Sequence, residues 1–277
     1  MRSAAAGRFP NDMDFSPVIG LVLVISGVIV GFINTLAGGA TIISITTFMV
    51  LGLPLPMANG TNRVPVVLQN LTSCVTFFRK RLLDMRTGVR LAVPTIVGNV
   101  AGSQIASTVD EGVFRICLGV VLLMVLGFMA FSSEKRLKGS GERSGPIVIR
   151  PWHYVWFLAI GFYSGYIYVG LGYLILAVAM MSMKLDLVRA NALKGFIVLV
   201  STPFALAVFI LNGQVNYLYG LVHAVGNVIG AYVASAYAVG WGVRFLRLFM
   251  VVVTIVCLAD VLELISLREM ILSVLRA

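Results

Sequence analysis

Hydrophobic residues run along this chain in long blocks, and the polar positions between them are few and grouped. Apolar segments fall at roughly 17–36, 41–52, 58–78, 88–108, 112–132, 153–170, 171–183, 190–211, 215–238 and 243–265. Most approach the ~20 residues that a helix needs to cross ~30 Å of hydrocarbon. The runs are continuous, whereas the strands of a membrane barrel would alternate apolar and polar positions. The pattern predicts an all-α polytopic membrane protein. Segments 41–52 and 171–183 are shorter, and each follows its predecessor through a glycine-bearing link, "AGGAT" at 37–41 and "VGLGY" at 169–173. Short apolar pieces in matching places predict 2 broken or re-entrant helices beside about 8 full membrane helices.

Composition agrees. Of 277 residues, 59% are hydrophobic and 12% charged, with a mean hydropathy of +0.99. A soluble domain would carry about 25% charged residues. The 28 glycines suit close helix packing in lipid. A net charge of +10 in a soluble protein would point to nucleic acid, but here the basic residues gather in loops, where they set topology. Arg79, Lys80, Arg81, Arg86 and Arg90 share one loop, and Lys135, Arg136, Lys138, Arg143 and Arg150 share the longest connector. Placing 79–90, 133–151, 184–189 and 240–244 in the cytoplasm puts the tip near 110, the 212–214 loop and both termini outside. Cys74, Cys117 and Cys257 lie inside apolar runs without metal-ligand spacing, so no disulfide framework or metal site is expected. The first residues carry two acids, and no A-x-A pattern follows the first apolar run, so residues 1–16 read as a short tail.

The polar connector at 133–151 divides the membrane region into bundles at 17–132 and 152–277. The two bundles echo each other. At an offset of 132, "AGGAT" faces "VGLGY", Ala58-Asn59 faces Ala190-Asn191, Asn62 faces Lys194, and Gln69-Asn70 faces Ser201-Thr202. "GNVAGS" at 98–103 faces "GNVIGA" at 226–231 at an offset of 128. Several matches in order argue for an internal duplication. The first bundle enters from outside and ends inside, and the second does the reverse, so the expectation is two inverted-topology repeats. In such architectures a transported solute binds near the midplane at the repeat interface.

The stretches "GFINTLAGGATIIS" and "ANGTN", the Leu-Gly-Leu-Pro turn, the later "P-x3-GNxxG", and "GFYSGYIYVGLGYLI…RANALK" in the second bundle together resemble the sulfite exporter TauE/SafE family. The resemblance covers nearly the whole chain. It implies a permease or exporter for small anions, typically sulfur-containing ones such as sulfite, sulfoacetate or other organosulfonates, in the bacterial inner membrane.

The residues themselves nominate a site. Asn59, Asn62/Arg63, Val66, Gln69/Asn70 and Ser73 fall on one face of a helix over 58–78. Lipid cannot satisfy such a stripe, so it should face protein or a wet cavity. Asn191, Lys194, Ser201 and Thr202 draw a shorter version in the second bundle. The expectation is that the two stripes face each other and line an anion path. Arg63 and Lys194 would supply charge, and Asn59, Thr61, Asn62 and Asn191 would supply donors. Gly38, Gly39, Gly170 and Gly172 would let backbone approach the solute, with the hydroxyl of Thr41 beside them. The competing reading makes these groups interhelical glue, helix caps or snorkelling cations. His223, deep in segment 215–238, is the candidate carrier of a coupling proton, or else a histidine bonded to a neighbouring helix. Asp260 and Glu263 lie near the end of the last segment, and no other Asp or Glu falls in a core segment.

An enzyme would need a nucleophile elbow, zinc-type histidine spacing or paired intramembrane carboxylates, and none of these patterns occurs. No catalytic residue and no cofactor is therefore expected. The alternative to a transporter is a scaffold subunit of a membrane complex, which has no reason to carry polar stripes at mid-membrane.

Overall fold

The computed structural model describes residues 15–36, 39–131 and 149–237, together with positions 252, 255, 256, 258 and 259. The tail, most of the 133–151 connector, Gly38 and the apolar segment at 243–265 lie wholly or largely outside these residues. The described regular structure is helical: α1 (Pro17–Leu36), α2 (Thr41–Val50), α3 (Leu55–Thr61), α4 (Arg63–Arg79), α5 (Met85–Thr108), α6 (Glu111–Phe131), α7 (Pro151–Tyr166), α8 (Leu171–Ala177), α9 (Leu187–Leu211) and α10 (Tyr217–Tyr237). A π-helical turn, Val178–Ser182, extends α8.

Among the described residues, three helices are long and apolar enough to cross a membrane: Pro17–Leu36, Leu187–Leu211 and Tyr217–Ala236. Shorter apolar helices lie at Thr41–Val50, Gly112–Leu123 and Leu171–Ser182. The expected helix at 58–78 is divided at Asn62 into α3 and α4. The expected segment at 153–170 stops at Tyr166, because Ile167 is extended (φ −133°, ψ 116°) and Gly170 turns into the left-handed region at φ 74°. Glycine takes that conformation without steric cost, which is why the break falls there. Two acids start helices: Asp84 accepts from the amides of Arg86 and Thr87, and Asp186 from those of Val188 and Arg189.

Six of the helices neighbour one another in the order α1, α10, α4, α9, α5, α7, and α6 packs on α3. Read from either end, this order pairs α1 with α7, α10 with α5, and α4 with α9. The outer contacts on the two flanks are built alike. Where α5 meets α7, a Cβ on Gly98 would lie 2.2 Å from the Leu158 carbonyl oxygen, and one on Gly102 would lie 2.0 Å from that of Phe162. Reciprocally, a Cβ on Gly161 or Gly165 would lie 2.3 or 2.1 Å from the carbonyl oxygen of Thr95 or Asn99. Where α1 meets α10, a Cβ on Gly27 or Gly31 would lie 2.4 or 2.2 Å from the carbonyl oxygen of His223 or Asn227, and one on Gly226 or Gly230 would lie 2.1 Å from that of Val24 or Val28. Main chain therefore packs on main chain, the arrangement that small residues permit in lipid.

The core has two main clusters. One gathers Leu23, Phe48, Leu55, Phe114, Leu118 and Phe209, and the other Leu91, Phe157, Ile175 and Ile197. Large apolar side chains such as Leu21, Val93, Val97, Leu221 and Ile229 point outward, as a lipid-facing surface requires.

The glycine seams give a direct test. Gly102→Ala should cost about 1–3 kcal/mol through overpacking, seen as a lower thermal midpoint in detergent. Gly195→Ala, whose Cβ would meet nothing closer than 3.5 Å, should leave the midpoint unchanged or raised.

Candidate functional site

The carbonyl end of a helix leaves acceptors without intrahelical donors. In hydrocarbon no water satisfies them, so protein must. The structure solves this problem twice with the same chemistry.

At the end of α7, Arg63 donates from Nη1 to the Ser164 carbonyl (2.7 Å) and from Nη2 to that of Gly165 (3.1 Å). Asn59 donates from Nδ2 to the Tyr166 carbonyl (3.1 Å), and its Oδ1 accepts from Arg63 Nη2 (3.2 Å). The guanidinium lies between the rings of Tyr168 and Phe209, 4.8 and 5.5 Å from their centroids. At the end of α1, Lys194 Nζ donates to the carbonyls of Asn34 (2.9 Å) and Thr35 (3.3 Å). Asn191 donates to the Leu36 carbonyl (3.1 Å) and accepts from Lys194 Nζ (2.7 Å). Each clamp is one asparagine and one cation three or four residues apart, closing on three successive carbonyls. A positive charge at a helix C-terminus also opposes the partial negative charge of the macrodipole. Lys80 treats the end of α10 in the same way, donating to the Ser235 carbonyl at 3.0 Å.

The clamps cross. Helix α4 with its α3 lead-in holds the end of α7, and α9 holds the end of α1. The offset of 132 set Asn62 against Lys194, whereas geometry gives Arg63 the role of Lys194. The pairs Asn59/Arg63 and Asn191/Lys194 are four and three residues apart, and both spacings put side chains on one helix face.

The other nominated residues divide. Gly39 donates its amide to Asn34 Oδ1 (2.8 Å), and Asn34 Nδ2 donates to Thr41 Oγ1 (3.2 Å), so the first break is stitched from within. The two breaks meet, since a Cβ on Gly39 would lie 2.3 Å from Tyr173 Cε2. Gly170 makes the left-handed turn before α8, and Gly172 lies within α8. Thr61 turns away from this group, its Oγ1 accepting from the Asn216 amide at 2.9 Å. Asn62 is 1% exposed, and neither atom of its amide has a partner. Arg63 Nε and Gln69 Oε1 are likewise buried without partners. Neither Arg63 nor Lys194 has a carboxylate partner among the described residues, although they are 0% and 5% exposed.

His223 joins α10 to α1 and α2. Its Nδ1 lies 2.8 Å from the Leu23 carbonyl and 3.3 Å from Ser26 Oγ, and its Nε2 lies 2.9 Å from Ser44 Oγ. A carbonyl only accepts, so the proton sits on Nδ1 and Nε2 takes the hydroxyl hydrogen of Ser44. A second proton on the ring would require Ser44 to turn that hydrogen away.

Sequence reasoning missed Asn34, and it left Asn99 between a packing face and a reach to the site. Asn34 lies in the quoted "GFINTLAGGAT", five residues before the glycine whose amide it holds. Asn99 donates to the Ser201 carbonyl (3.0 Å) and accepts from Ser164 Oγ (3.2 Å), tying α5 to α9 and α7. An asparagine flanked by packing glycines was the available signal.

The sequence profile of the sulfite exporter TauE/SafE family matches residues 23–260. The chain belongs to that family. Curated TauE/SafE-like relatives include a "Probable membrane transporter protein" of Haemophilus influenzae, 23% identical over 87% of this chain and 94% of the relative. YfcA of Escherichia coli K12, also named a probable membrane transporter protein, is 24% identical over 89% of this chain and 91% of its own. YunE of Bacillus subtilis, named in the same way, is 20% identical over 78% and 87%. No solved structure matches the chain. As a TauE/SafE member with apolar helices of spanning length and bacterial relatives, it is an integral membrane protein of the inner membrane.

The two amides at the head of α4 should behave oppositely. Asn59→Ala strips the Tyr166 carbonyl of its side-chain donor and should cost about 1–3 kcal/mol. Asn62→Ala removes a buried group that bonds to nothing and should leave the thermal midpoint in detergent unchanged or higher.

Proposed function

We propose that the chain is a secondary transporter of small, sulfur-containing anions such as sulfite, sulfoacetate or other organosulfonates, working by alternating access. The observation that carries the anionic preference is the pair of buried cations, Arg63 and Lys194, without a carboxylate partner among the described residues. Burying charge in a low-dielectric interior is costly unless it is paired. Helix-end carbonyls supply hydrogen bonds and partial negative charge but not a full counter-charge. A negative solute entering between α4 and α9 completes the balance, and the same field excludes cations.

The solute site in this reading lies at the α4–α9 seam, at the centre of the mirrored helix order, where two inverted repeats would meet. The Asn62 amide supplies the polar group left open for the solute. Asn59, Arg63, Asn191 and Lys194 fix the helix ends around it and provide the field. The breaks at Gly39 and Thr41 and at Gly170 and Gly172 bring backbone close, and Thr61 acts at one remove by holding the 216 turn. The printed family description, a sulfite exporter, supports the substrate class. The relatives' names stop at membrane transport.

Purified protein in proteoliposomes tests this with labelled sulfite and sulfoacetate. Wild type should carry at least one of them, and Asn62→Ala should lower the flux about tenfold or more, equivalent to ~1.4 kcal/mol, at an unchanged thermal midpoint. Equal flux in Asn62→Ala would remove that residue from the site. No flux of either anion, with no stabilisation of the solubilised protein by them, would favour a scaffold role.

A further inference from the structure

The clamps have a property that transport does not by itself require: they share no atom and no helix end. The donors of Arg63 and Asn59 close on Ser164, Gly165 and Tyr166, and those of Lys194 and Asn191 on Asn34, Thr35 and Leu36. Lys194 has three N–H donors and three acceptors, so its capacity is spent on its own clamp. The seams that bind α1 to α10 and α5 to α7 contain no side chain from either clamp.

We infer that the two clamps are independent crossed latches, each holding the end of one helix on the opposite flank, so that the ends of α1 and α7 open separately and not together. Arg63, Asn59, Lys194 and Asn191 are positioning residues in this scheme. Losing a latch leaves three carbonyls short of donors at one helix end, and only the last turn they cap loosens. Separate opening of two ends is what an alternating device needs, because a solute path open at both sides would leak. The latches go beyond the transport reading and do not need it to be observed.

Amide hydrogen exchange read by mass spectrometry, on the full chain in lipid nanodiscs without substrate, tests the inference. Lys194→Met should speed exchange in the last turn of α1, residues 33–36, about tenfold or more, and leave residues 163–166 within about twofold of wild type. Arg63→Met should do the reverse. Lys194→Arg should restore wild-type exchange at 33–36, because a guanidinium can donate to the same carbonyls. If either methionine variant fails to fold, Asn191→Ala and Asn59→Ala should give the same crossed pattern at smaller amplitude. Exchange that rises at both ends in each variant, at the end on the variant's own flank, or at neither end overturns the inference. Failure to carry sulfite would leave a crossed pattern standing, and absence of that pattern would leave the transport reading standing.

Discussion

A helix that ends in a protein's buried interior must have its last carbonyls met by donors from elsewhere in the chain. That constraint organises this molecule. Helices α1 and α7 both end beside short helices, and both ends are met by an asparagine and a cation from a helix across the bundle. The donors must be long, polar and buried, which explains an arginine at 0% exposure in a chain with so few charges. Desolvating a guanidinium is expensive. Here the cost is offset by carbonyls held at 2.7 and 3.1 Å and by two aromatic faces.

Much of this was legible in the sequence, and the limits have physical causes. Continuous apolar runs gave the helical membrane class, and the glycine-bearing links gave the two short helices, because both signals are local. The polar stripe on α4 and its echo on α9 were legible as buried, because lipid tolerates neither. Their partners were not legible. The acceptors for Arg63 are main-chain carbonyls about a hundred positions away, and a carbonyl leaves no mark in a sequence. The offset of 132 also misassigned the counterpart of Lys194 by one position. Alignment counts residues, but a guanidinium and an ammonium at neighbouring positions can reach equivalent carbonyls. Thr61 shows the same limit: it sits in the nominated stretch, yet its hydroxyl serves the turn before α10.

The electrostatics follow from the caps. Two positive charges are fixed in the interior by groups that carry only partial negative charge. The Asn62 amide, next in the chain to Arg63, is buried without a protein partner. Buried polar groups are nearly always bonded, so its open valence, with those of Arg63 Nε and Gln69 Oε1, is not explained by structural economy.

The glycine seams have a mechanical consequence. Where backbone lies on backbone there are no rotamers to shuffle, so neither seam has an inexpensive way to shear. Each flank is a stiff plank of two rods. Compliance is then left to the middle of the molecule, where interlocking side chains can exchange one packing for another.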